Sequence, residues 1–378
     1  MNPLGGTLTL LMGDRVPAPA PPPVLEALES VEVTHSDRGR SGFQITLRAG
    51  RGRADLMDDP LLALPALRPC SRVVMIVAVQ GVPEVVMDGI VMDQQYTPSD
   101  SPGASHLTLT GEDVSVMMDL EERSVEHPAQ SEPVIVYKIL AQYAQYGVVP
   151  KVVPPPSLDV PLPVERTPVQ QETDLQYLQE MAERFGYTFF VTPGPAPLVN
   201  TAYWGPPPRL GAPQRALIVG PGPHSNAEIA QFRYDGNAPI QVQGRVQDRN
   251  TGQDLPVRSV GLTRPPLATQ PAWATQDCVA TRQFRHSGLS AAQAFAQAQG
   301  EVDIAAERAV EVSGSLDVLR YRGVLKPRAL VGVRGAGYAY DGLYYVQRVT
   351  HQIRRGGYTQ RFTLTREGLG ATTPAVPP

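Results

Sequence analysis

The chain has 378 residues, 42% of them hydrophobic and 19% charged, which excludes a disordered or highly charged linker and predicts a buried core. Its formal net charge of −4 disfavours a general nucleic-acid-binding role. Thirty-nine prolines and 34 glycines argue against a helical bundle and for many short strands joined by turns.

The first stretch reads as β: Thr7–Met12, Val31–Thr34, Gly42–Arg48, Arg72–Gln80, Val85–Gln94 and Ser105–Thr110. Gln44-Ile45-Thr46-Leu47 and His106-Leu107-Thr108-Leu109 alternate polar and apolar, the sign of half-buried antiparallel strands. Gly81-Val82-Pro83 is turn material inside a hairpin, and Pro17–Pro23 is a stiff connection. Such a set of short strands predicts a small barrel or a sandwich.

A helix is then expected over Pro133–Tyr146, with Ser131 as cap and Gly147 as stop. Residues 148–168 read as an extended Pro-rich linker. Thr173 and Gln176 form a capping-box signature, followed by the stripe Leu175, Leu178, Ala182 and Phe185 and a stop at Gly186. Tyr187–Val191 and Asn200–Trp204 read as paired strands. β texture returns at Ala227–Tyr234 and Ile240–Gln247, a helix capped by Ser290 is expected to Ala309, and Arg328–Val333, Gly342–Ile353 and Tyr358–Arg366 close the chain as strands. The tail Ala371–Pro378 reads as mobile.

Nothing in this order assembles a catalytic, cofactor or metal set. His35, His106, His127, His224, His286 and His351 are scattered singly, and His351 alternates with Val349 and Ile353 on one strand face. Asp58-Asp59 and Glu121-Glu122 are adjacent carboxylates that point different ways and make poor acid–base pairs. Cys70 and Cys278 form no disulfide or redox motif and read as small core residues. Gly332–Gly337 superficially resembles a phosphate cradle, but a strand and not a helix follows it. No apolar run reaches membrane-span length and the N-terminus shows no secretory signal, so synthesis and folding in the cytoplasm are expected. The local positive cluster Arg348, Arg354, Arg355, Arg361 and Arg366 is a candidate interface, with Arg354, Arg355 and Arg361 as its core.

Three segments together resemble one family. They are Gly111-Glu112-Asp113-Val114; Glu172 to Leu178 continuing through Glu183-Arg184-Phe185-Gly186-Tyr187; and Val333 to Gly337 with Tyr340-Asp341-Gly342-Leu343-Tyr344-Tyr345-Val346, Val349-Thr350-His351 and Tyr358 to Phe362. Their order is similar to that of the phage late-control D family, the baseplate hub of contractile tails, and to the hub part of the type VI secretion spike protein. The resemblance implies a mainly β chain with α/β insertions, built on two small antiparallel barrels like the tail-tube subunit. It implies residues 1–118 as the first barrel, 119–212 as an α/β insertion, 213–262 with 310–370 as the second barrel, 263–309 as a helical insertion and 371–378 as a flexible tail. It also implies a homotrimer that joins a six-fold inner tube to a three-fold spike and nucleates the tube. Expected partners are the inner tube protein, a separate spike protein and baseplate wedge proteins, with no membrane insertion of its own and no cofactor. The expected location is a virion tail baseplate or injection particle assembled in the bacterial cytoplasm. Tyr340, Asp341, Gly342, Tyr344 and Tyr345 are the expected structural motif. Two other classes compete: a tail-tip cell-wall hydrolase, and a carbohydrate-binding module stacking sugars on Trp204, Trp273 or the tyrosines at 338–345.

Overall fold

The computed structural model describes residues 6–14, 16–50, 61–101, 104–156, 167–249 and 251–372. Asp58-Asp59, most of the Pro-rich stretch at 157–166 and the tail beyond Thr372 lie outside them.

Alternation builds the main element. In Leu28–Ser36, Val31 and Val33 are buried while Glu32 faces solvent, and in Gly42–Ala49 the buried set is Phe43, Ile45, Leu47 and Ala49. Repeated from strand to strand, this period of two gives one 13-stranded sheet with an apolar face and a polar face. From one end the order is Glu228–Tyr234, Val310–Asp317, Gly357–Arg366, Gly342–Arg354, Leu28–Ser36, Gly42–Ala49, Ser105–Asp113, Val82–Thr97, Arg72–Val79, Gly6–Gly13 and Ala18–Pro19. Leu330–Arg334 also pairs with Gly342–Arg354 and carries Gln214–Ile218 beside it in parallel.

Two separate barrels are therefore not what the hydrogen bonding shows. The N-terminal and C-terminal strands join in one ladder, Thr34 opposite Thr350 and Val33 opposite His351, and no ladder closes the sheet among the described residues. One continuous core, from Leu10 through Val33 and Val349 to Leu364, lies on its apolar face.

A second core belongs to residues 114–204. The helix Glu132–Ala141 is followed by a 3₁₀ turn at Ala144–Tyr146 and stops at Gly147, whose φ is +73°. Ser131 makes no side-chain cap bond there; Pro133 in the first turn carries the start. The linker expected from residue 148 begins instead as a strand: Val148–Val152 lies parallel to Asn200–Gly205, which pairs antiparallel with Thr188–Pro193. On the helix Asp174–Glu183 the Thr173 hydroxyl oxygen accepts the Gln176 amide at 3.3 Å, and the hydroxyl donates to Asp119 at 2.6 Å. Leu175, Leu178 and Ala182 are buried as expected, against a fully buried Trp204 whose indole donates to the Leu178 carbonyl at 3.1 Å.

The third core corrects the sequence expectation. Ile240–Gln247 and Asp254–Arg258 do not enter the large sheet; they pair with each other, and Ile240–Gln247 pairs on its other side with Ala280–Gln283. The helix Ala291–Ala306 covers this small sheet through Ala294, Ala298 and Val302. Ser290 and Gln293 cap it reciprocally, at 3.3 and 3.1 Å. Gly300 inside the helix has a steric reason: a Cβ there would lie 2.6 Å from the Gly186 nitrogen. The last strand, Gly368–Ala371, pairs with Ala268–Pro271, so Ala371 belongs to a sheet and not to a loose tail. Both cysteines are exposed; neither is a core residue.

Buried charges tie this third unit to the end of the chain. The fully buried Glu367 accepts from Arg209 at 2.9 Å and from the backbone amides of Leu267 and Ala268. Glu307 takes Arg209 at 3.4 Å and Arg264, and burial pushes the Arg264 guanidinium down to about 10.

Candidate assembly surface

The expected structural motif is a clamp around Arg366. Asp341 ends a tight loop in which its carboxylate accepts the Ala336 amide at 2.7 Å. Gly342 follows at φ +128°, a conformation that side chains resist. The Arg366 guanidinium donates to the Asp341 and Ala339 carbonyls at 3.0 and 2.6 Å and lies 4.3 Å over the Tyr344 ring. The Tyr344 hydroxyl donates to the Tyr340 carbonyl at 2.7 Å, and Tyr340 packs on Phe232 at 4.6 Å between ring centroids. Tyr344 and Tyr345 are fully buried, and burial raises both phenols above the usual range. Trp204 is also buried, so these three rings hold the core, while Trp273 and Tyr338 of the same candidate set are exposed.

The arginine cluster divides. Arg355 is spent on the chain itself: its guanidinium donates to the Leu28 carbonyl at 3.2 Å and to the Glu26 carbonyl, fastening the 354–357 turn to the first helix. Arg354 is exposed opposite Ser30 at the strand end. Arg361 stands opposite Thr350, four strand positions from the turn and so about 13 Å from it. There it lines a groove of about 470 Å³ with Arg348, Thr350, Ser313, Ser315 and Glu228. Arg366, by contrast, is buried in the clamp just described.

That groove is one part of a wide polar face. One cross-strand row runs Asp317, Thr359, Gln352, Glu32, Gln44, Thr110 and Asp93, each directly opposite the next. The next row runs Ser315, Arg361, Thr350, Thr34, Gly42 and Glu112. Each row is bonded along its length: in the second the Thr34 and Thr350 hydroxyls meet at 3.0 Å, and in the first Gln352 donates to Glu32 at 3.2 Å.

The ends of the sheet differ. Ala18–Pro19 is a two-residue strand flanked and capped by prolines, which cannot continue a ladder. Among the described residues Glu228–Tyr234 pairs only with Val310–Asp317, so the polar backbone on its other side has no strand partner there, over a mostly exposed strand. This open edge and the polar face are the two exposed polar surfaces of the sheet.

The histidines converge in one place only. His35 and His351 are buried at the central ladder, where His35 Nε2 lies 2.7 Å from the Val86 carbonyl and His351 Nδ1 lies 2.7 Å from the Tyr358 hydroxyl. Among the described residues no group of three His, Cys, Asp or Glu could hold a metal ion. Sequence reasoning missed a further convergence, Arg215, Arg320, Arg322 and Arg334 around one cavity, because long-range pairing and no local spacing brings them together.

No family model matches the chain, and no curated protein matches it. Solved structures do, over essentially the whole length. A tail protein from Neisseria meningitidis aligns with TM-score 0.64 at 14% identity, covering 97% of this chain and 98% of its own. A 43 kDa prophage tail protein from Shewanella oneidensis gives TM-score 0.63 at 13% identity, with 96% and 98% covered. An E. coli component of the type VI secretion system gives 0.51 at 13% identity, over 93% of this chain and 77% of that one. The fold is thus that of phage tail proteins and of type VI secretion components, in agreement with the family resemblance read from the three sequence segments.

Proposed function

We propose that the chain is a structural component of a contractile tail or related injection particle: the baseplate hub between a six-fold inner tube and a three-fold spike. The observation that carries this reading is the full-length match to two tail proteins, in which neither partner leaves a substantial unmatched part. The open edge of Glu228–Tyr234 and the continuous polar face give the chemistry such a role needs, since an unpaired edge is covered by another chain in an assembly.

In this reading the hub is a homotrimer. Each copy supplies two tube-like halves, the strands before and after the ladder of Thr34 with Thr350, so that three copies offer six. It templates the first ring of the inner tube protein on one side and holds a separate spike protein on the other, with baseplate wedge proteins around it. Its work is assembly and not catalysis, carried out in the bacterial cytoplasm before the particle is complete. The exposed Arg354 and Arg361 are the proposed contact residues, because guanidinium groups pair bidentately with carboxylates across interfaces. Seeded polymerisation tests the reading: purified inner tube protein should form tubes faster with catalytic amounts of this chain than without it. Unchanged lag times would refute the nucleating role.

A further inference from the structure

The convergence of four arginines forms a site of its own. Gln214–Ile218 runs parallel to Leu330–Arg334, with Ile218 opposite Arg334. The short helix Val318–Tyr321 is drawn against them by the Tyr321 hydroxyl, which donates to the Arg215 carbonyl at 2.6 Å. Asn226 fixes the facing loop: its side chain accepts from the Ile218 amide at 2.8 Å and donates to the Ala216 carbonyl at 3.0 Å. The result is a concavity of about 890 Å³ lined by Arg215, Arg320, Arg322, Arg334 and His224.

The electrostatics of this cavity are one-sided. No acidic side chain lines it, and among the described residues none of the four guanidinium groups makes an ion pair or a side-chain hydrogen bond. Two acids, Asp317 and Glu228, line an adjacent groove shared with Arg320; the Asp317 carboxylate is taken up by the Leu319 and Arg320 amides at 2.9 Å, and Glu228 lines that groove and not this cavity. Four like charges gathered in a fixed frame repel one another, and they do so on a chain whose net charge is −4. An anion entering the cavity meets four guanidinium groups with no competing side-chain partner among the described residues and relieves that repulsion.

The lining also carries apolar surface. Leu319 is 38% exposed, and Ile218 and Pro223 stand beside it. A bare phosphate would leave these groups uncovered, and duplex DNA, a convex row of phosphates, fits an open basic stripe better than a concavity. We propose that this cavity is a docking site for an acidic segment of a partner protein, one that places carboxylates on the arginines and an aliphatic side chain against Leu319. The site does not depend on the trimeric reading, because peptide binding and particle mass are separate measurements.

A fluorescein-labelled peptide of alternating Glu and Leu is the probe, followed by anisotropy. It should bind the intact protein, and binding should weaken as salt is raised. Arg320→Glu with Arg334→Glu should reduce affinity by about a hundredfold and Arg320→Gln with Arg334→Gln by about tenfold, each with an unchanged melting temperature. Arg68→Glu, at an exposed position outside the cavity, should leave binding unchanged. Failure to bind, equal binding by the two double variants and the parent, or equal binding of a Lys-Leu peptide would overturn the proposal. So would a tighter arginine-dependent interaction with inorganic phosphate or duplex DNA, which would reassign the site to phosphate.

Discussion

The rings of His35 and His351 meet edge to face, 5.6 Å apart, across the ladder that joins the N-terminal strands to the C-terminal ones. Burial holds both imidazoles neutral: His35 is pushed down to about 3 by desolvation, with the Arg328 charge adding to it, and His351 lies well below its ordinary value. Because the folded values are lowered, the unfolded chain binds more protons below about pH 6.5. Stability at this seam is therefore complete above that pH and lost as the pH falls toward 3, at up to about 1.4 kcal/mol per pH unit for each histidine. Melting curves between pH 7 and 4 should show a steeper loss for the parent than for His35→Gln with His351→Gln. Parallel curves would remove the two histidines as the cause.

Gly300 supports a second test. In an ordinary helix interior, Gly→Ala stabilises by about 1 kcal/mol. Here the added Cβ would press on the backbone of Gly186, 2.6 Å from its nitrogen and 3.0 Å from its Cα. Gly300→Ala should instead destabilise by about 1–3 kcal/mol, read as a fall in melting temperature. A rise would mean that the helix and the Gly186 turn do not touch.

A third test bears on the Arg366 clamp. Gly342→Val forces a β-branched residue into φ +128° and places a Cβ 2.9 Å from the Arg366 guanidinium and 3.1 Å from Ala371 Cα. A loss of about 2–4 kcal/mol is expected, combining backbone strain with disruption of the clamp. Arg366→Met keeps the backbone but removes the donors to Ala339 and Asp341, and should cost about 1–3 kcal/mol. Unaltered unfolding in both variants would show that the loop is not held this way.

The open edge gives a fourth. Ala230→Lys with Gln231→Pro puts a charge and a missing amide on exposed positions of Glu228–Tyr234. The expected result is a smaller particle by light scattering with a nearly unchanged core melting temperature. An unchanged particle mass would show that this edge is not used.

Much of the architecture is legible because it depends on local patterns. The alternation of Gln44 to Leu47 and of His106 to Leu109 marks half-buried strands, and the capping pairs Thr173–Gln176 and Ser290–Gln293 mark where two helices begin. What is not legible depends on which strand pairs with which. Whether a strand set closes on itself or joins another is decided by the ladder of Leu28–Ser36 with Gly342–Arg354, more than 300 residues apart in sequence, and no local spacing records it. The same holds for Ile240–Gln247, whose pattern suits either sheet, and for Val148–Val152, whose Pro150 conceals a parallel pairing. The arginine cluster read from the sequence is divided by hydrogen bonding that no local spacing records: Arg355 binds backbone carbonyls and Arg366 the clamp, while Arg354 and Arg361 make no such bond and are exposed.

The central claim is a trimeric hub, and the mass of the purified chain in solution tests it most directly. Light scattering across the micromolar range should give three copies, held by an interface larger than about 1,600 Å² in total. A monodisperse monomer of 40.9 kDa, folded and stable at those concentrations, would contradict the account.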